Sequence, residues 1–163
     1  MRVRLLAFSI AAICLLLAVS ACGGDDSDSG DASATAVAQI DAICDDWRET
    51  LDAREEFPVE DFDTENPAAE DLPRVGDYLA SGEPAAEAAL ESIRNLPPSA
   101  DVQAEVDALV AALERELASL KAQTGFAQAG DVERFVASLD EAVASQGAVE
   151  AASDELGATR CAF

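Results

Sequence analysis

The sequence contains no histidine, and its single methionine is the first residue. Without histidine, the Glu-x-x-His pairs of a di-iron helical bundle are excluded. Ser-His-Asp and Cys-His nucleophilic catalysis fall with them, as do zinc sites built on histidine or clustered cysteine. Basic residues are also scarce: 10 Lys and Arg face 33 Asp and Glu, a net charge of −23. Such a surface opposes nucleic acid, whose phosphates need cationic partners, and close contact with anionic lipid headgroups. Solubility accounts for this acidity. Binding of cations or basic partners, and adaptation to high salt, are the other readings the composition allows.

No segment shows strand alternation, so no glycine-rich phosphate cradle follows a strand. Among 33 acids, a carboxylate pair spaced for glycoside hydrolysis arises by chance and carries no weight. Asp61, Asp63 and Glu65 have the alternate spacing of the first ligands of an EF-hand loop. Asn66 stands where that loop needs glycine, and Leu72 where it needs the bidentate Glu. Asp26, Asp28 and Gly30 fail similarly, with Val37 at the last position. The expectation is therefore a protein without enzymatic chemistry, cofactor or metal site, and without a nucleic-acid partner.

Arg2 and Arg4 precede an apolar run from Leu5 to Val19 that only Ser9 interrupts, and the small residues Ser20 and Ala21 follow. This is the pattern of a secretory signal peptide. The same run through Ala21 lies at the lower limit for spanning a bilayer. The "VSAC" of Val19–Cys22 resembles the lipobox of bacterial lipoprotein signal peptides. That resemblance implies that the Cys22 thiol receives a diacylglyceryl group and that residues 1–21 are then removed. An uncleaved membrane anchor and ordinary secretion are the alternatives. Cleavage would leave 142 residues with a net charge of −25, since Arg2 and Arg4 depart with the leader. One domain with a modest core fits that length. The expected location is the extracytoplasmic face of the cell membrane, with the membrane as a partner through the lipid anchor. Two acyl chains or more make such an attachment stable.

Of four cysteines, Cys14 lies in the leader and Cys22 at its end. Cys44 and Cys161 remain, an even pair in an exported chain, which points to one disulfide.

The stretch 22–34 is small, polar and acidic and reads as a disordered tether. For a flexible chain its reach is roughly 20 Å. Four segments of helical period follow within a domain over 35–163. Val37, Ile40, Cys44, Trp47 and Leu51 share one face of a helix expected over 35–56. Leu72, Val75, Leu79, Ala86, Leu90 and Ile93 share a face of a second, over 68–95. Pro73 suits its first turn, and "SGEP" at 81–84 predicts a kink or brief interruption. Ser99 is the expected N-cap of a third helix, whose stripe runs Val102, Val106, Leu109, Leu113, Leu117, Leu120. Asp131 is the expected N-cap of a fourth, with Val132, Phe135, Leu139, Ala142, Gln146, Val149, Ser153 and Leu156 in register. Gly157 follows where a C-terminal cap glycine belongs. The fold class is thus all-α, an up-down four-helix bundle.

Trp47 is expected in the core and Tyr78 at its edge. Phe57 and Phe62 lie in the acidic loop 57–67. They either plug the open end of the bundle or form a docking loop for an envelope protein partner.

The chain as a whole resembles the small helical lipoproteins of high-GC actinobacteria. The resemblance rests on "AIC" at Ala42–Cys44 and "LGATRC" at Leu156–Cys161, a cysteine in the first helix and another after a C-terminal Leu-Gly. It implies no activity and no functional residues beyond the cysteines. The functional expectation is a non-catalytic interaction module of the cell envelope. A carrier of a small ligand or cation is the alternative.

Overall fold

The structure, a computed structural model, describes residues 28–97 and 100–161. The expected leader with Cys14, the expected acylation site Cys22 and the cap expected at Ser99 lie outside the described residues. Four helices pack against each other: α1 (Asp28–Asp52), α2 (Leu72–Arg94), α3 (Gln103–Gln128) and α4 (Val132–Leu156). No strand occurs among the described residues. The protein is all-α, as its periodicity predicts.

Helix α1 starts at Asp28, seven residues before the expected Thr35, so it takes in the second half of the segment read as a tether. Ala32, Ala34, Ala36 and Ala38 follow at alternate positions, and alanine has the highest helix propensity. At its other end α1 stops at Asp52, short of Glu56. There Arg54 Nε donates to the Leu51 carbonyl at 3.1 Å, covering one of the orphan acceptors of the last turn.

Helix α2 runs unbroken through the expected interruption at 81–84, with Pro84 inside it. Proline removes one backbone donor there. Both halves of the helix nonetheless bury an apolar face, Leu72 and Val75 before it and Ala86, Leu90 and Ile93 after it. Gly82 has a packing role instead of a breaking one. A Cβ on it would meet Arg54 Nη1 at 2.7 Å and Leu51 Cδ2 at 3.4 Å. The glycine leaves room for the end of α1.

Helix α3 begins at Gln103, capped at Val102 without a side-chain hydrogen bond. Its start is therefore four residues beyond Ser99. Helix α4 has the expected cap: Asp131 Oδ1 accepts the Arg134 amide at 3.1 Å. Its C-terminal end is a Schellman turn around Gly157 at φ 81°. The Ala158 amide donates to Ser153 O and the Gly157 amide to Asp154 O. That turn folds residues 158–161 back across the bundle.

Contacts between helices fix their pairing. Gly76 meets Gln128, Glu87 pairs with Lys121, and Arg94 pairs with Glu114, so numbers rise along α2 as they fall along α3. Likewise Arg54 meets Tyr78 and Leu51 meets Gly82 between α1 and α2.

The core is split in two. The larger cluster surrounds Cys44 and Cys161 and includes Ile40, Leu90, Ile93, Leu109 and Val149, with Leu96 just after α2 packed against it. The smaller comprises Leu72, Val75, Ala127 and Phe135, with Val59 and Phe62 of the 57–67 loop and Val132 packed against it. The 57–67 loop and the Gly130 turn therefore lie together at one end, and the disulfide lies at the other.

Candidate functional site

Between the two clusters the facing positions are polar. Ser119 and Gln123 on α3 and Ser145 on α4 are all buried. Residues of this kind cannot fill an apolar core, and a cavity of about 150 Å³ opens beside them. Trp47, Ala86, Leu90, Leu113, Leu117 and Leu120 supply its apolar wall, so all of α1, α2 and α3 contribute. Ala142, Ser145 and Gln146 close it from α4, and Glu116, Ser119 and Gln123 line it from α3. An apolar cavity of ~150 Å³ suffices for a benzene-sized molecule.

Two polar side chains of this wall have a donor already engaged. Ser145 Oγ donates to the Ala142 carbonyl at 2.9 Å. Gln123 directs its Nε2 toward the Ser138 carbonyl at 3.4 Å, which leaves its own carbonyl oxygen as an acceptor. Ser119 is only 8% exposed, and its Oγ has no hydrogen-bond partner. A buried hydroxyl left in that state costs roughly 1–3 kcal/mol. Glu116 is half-buried. Burial first, and repulsion from Glu150 second, push its carboxyl above the ordinary carboxylate range.

No basic side chain lines this cavity. The arginines and the lysine of the described residues are engaged elsewhere. Arg74 pairs with Asp71, Arg94 with Glu114, Lys121 with Glu87 and Arg134 with Asp131. Arg48 and Arg160 both reach Asp45, Arg115 donates to Ala111 O, and Arg54 lies over the Tyr78 ring.

The residues singled out in the sequence fall elsewhere. Cys44 and Cys161 form a disulfide with Cα atoms 5.1 Å apart, and both are fully buried. Around it, Arg48 Nη2 donates to Arg160 O at 2.7 Å, and the Arg160 amide donates to Asp41 Oδ1 at 2.8 Å. Phe57 meets Phe62 and Tyr78 edge-on, at centroid distances of 5.6 and 5.2 Å. Phe62 in turn meets Phe135 at 6.2 Å. This chain of rings closes the far end of the bundle, although Phe57 keeps 42% of its surface exposed. Asp63 uses its carboxylate on its own backbone, accepting the Glu65 and Asn66 amides at 2.9 and 3.1 Å. Among the described residues no group of three or more acidic or cysteine side chains is placed to hold a metal ion.

Glu116, Ser119 and Gln123 are thus functional candidates that the sequence reading passed over. A signal did exist: Gln146 and Ser153 interrupt the apolar stripe of the fourth helix at core positions. Comparison with known protein families, characterised proteins and solved structures finds no match. The fold and the site together define a disulfide-closed helical protein with a small mid-bundle cavity.

Proposed function

We propose that this chain is a non-catalytic lipoprotein, acylated at Cys22 and held on the extracytoplasmic face of the cell membrane, that carries a small ligand between its helices. One observation carries the ligand reading. Ser119 presents a buried hydroxyl without a partner on the wall of an apolar cavity. Pockets that bind small molecules combine apolar walls with a few polar groups of this kind. The disulfide supports an oxidising compartment. Among the described residues no helix is long and apolar enough to cross a membrane; the lipid attachment of this reading rests on the lipobox-like Val19–Cys22.

Of the two functional expectations, carrier and interaction module, the cavity favours the carrier. The docking alternative draws on the exposed part of Phe57, and that ring is already engaged with Phe62 and Tyr78.

The test is to purify the full chain from its native membrane, extract it with organic solvent and identify co-purifying small molecules by mass spectrometry. The expected result is a molecule in near-stoichiometric amount that is missing from an Ala142→Leu variant with its cavity filled. The same spectra should show a diacylglyceryl group on an N-terminal Cys22. A native chain that carries nothing would defeat the carrier reading, and an intact leader would defeat the anchor.

A further inference from the structure

The chemistry of the cavity wall restricts what the carrier can hold. Its polar groups include the Glu116 carboxylate, the Ser119 hydroxyl without a partner and the Gln123 amide oxygen, beside Ser145 and Gln146 of α4, and no cation stands among them. A carboxylic or phosphoric ligand would meet Glu116 without any basic residue to offset the repulsion. A neutral hydrocarbon would leave both Glu116 and Ser119 unsatisfied. An organic cation would satisfy them together, since an ammonium supplies three donors and no acceptor.

The charge balance points the same way. Glu116 takes part in none of the ion pairs of the described residues. Another carboxylate, Glu150, repels it. Within this half-buried setting a counter-ion would interact more strongly than in water. The strong overall acidity of the chain would also concentrate cations at its surface. The volume bounds the ligand's body. About 150 Å³ admits a single ring or a short branched alkyl group, and not a sterol or an acyl chain.

We propose that the mid-bundle cavity takes a small organic ammonium, its ring-sized apolar body among Trp47, Leu90, Leu113 and Leu117 and its ammonium on Glu116 and Ser119. This inference rests on the carrier reading and narrows it to one ligand class. A primary amine would donate to the Glu116 carboxylate and the Ser119 hydroxyl, with the Gln123 carbonyl oxygen as a third acceptor. Leu117 and Leu120 would cover the ring from α3.

Trp47 gives the test a local readout, because it is the only tryptophan of the chain and forms part of the wall. Benzylamine and benzyl alcohol share one ring and differ in the charge of the head group. Each is titrated into the full-length chain while Trp47 fluorescence is followed. The expected result is saturable binding of both, with benzylamine at least about tenfold tighter, the usual worth of a hydrogen bond to a charged group. Glu116→Gln should bring the two to within about twofold, and Ser119→Ala should weaken benzylamine severalfold. Ala142→Leu should abolish both, and Ala86→Val on the opposite wall serves if that variant does not fold. Equal binding of amine and alcohol, unchanged by Glu116→Gln, would overturn the ammonium inference and leave the carrier reading standing. Absence of any binding would overturn both.

Discussion

Gly76 on α2 lies against the backbone of Gln128 on α3. A Cβ at Gly76 would come within 2.6 Å of the Gln128 amide nitrogen. Backbone cannot swing aside as a side-chain tip can, so Gly76→Ala has to part the two helices at this contact. Alanine gains ~1 kcal/mol of helix propensity over glycine, and the overpacking costs typically ~1–3 kcal/mol. The variant should be destabilised in denaturant titration. Gly147→Ala, with nothing within 4 Å of its added carbon, should instead gain ~0.5–1 kcal/mol. A neutral Gly76→Ala would show that α2 and α3 approach less closely than described.

The disulfide closes a loop of 117 residues in sequence separation. Chain entropy assigns such a loop up to ~4–5 kcal/mol, often less in practice, against ~5–15 kcal/mol for a whole domain. Cys44→Ser and Cys161→Ser should therefore lower the melting temperature by similar amounts, with the double variant no worse than either. Two thiols titrating in the oxidised native protein would refute the cross-link.

Glu116 gives stability a pH dependence of known sign. Its folded-state pKa is raised above the ordinary 4.5 by burial and by Glu150. A raised acid binds its proton more tightly folded than unfolded, so folding is favoured at low pH. That contribution is lost as pH rises from about 4.5 through the raised value. Glu116→Gln removes the dependence. It should be more stable than the parent at neutral pH, and the difference should close in acid below 4.5, as read by melting temperature across a pH series.

Buried hydroxyls and capping carboxylates should respond in opposite directions. Ser153 is fully buried and its Oγ has no partner, so Ser153→Ala relieves an unsatisfied group and should be neutral or stabilising by up to ~1 kcal/mol. Asp131 holds the Arg134 amide, so Asp131→Ala should cost ~0.5–2 kcal/mol. Equal losses from both would mean that Ser153 has a partner after all.

Much of the fold is legible in the spacing of apolar residues. Ile40, Cys44 and Trp47 are buried on α1, as are Leu72, Val75, Leu90 and Ile93 on α2, all where a 3.6-residue period puts them. Asp131 and Gly157 announce the bounds of α4 because capping is local chemistry. Other features depend on partners distant in sequence. Gly82 reads as a breaker until Arg54 is seen to occupy the space beside it. Helix α1 begins before its apolar stripe does, since alanine propensity alone extends it. The cavity is the least legible feature, for it exists only where Trp47, Ala86, Glu116, Gln123 and Ala142 of four helices meet. No single segment's periodicity contains that coincidence.

The Schellman turn at Gly157 and the bond it delivers to Cys44 make residues 44–161 a closed covalent ring. A ring survives one cut. Proteolysis in the exposed acidic loop near Asp61 or Glu65 would open the backbone without releasing either piece, because each still carries one of the two bonded cysteines. A lipid attached ahead of residue 44 would then retain both fragments at the membrane until a reductant separated them.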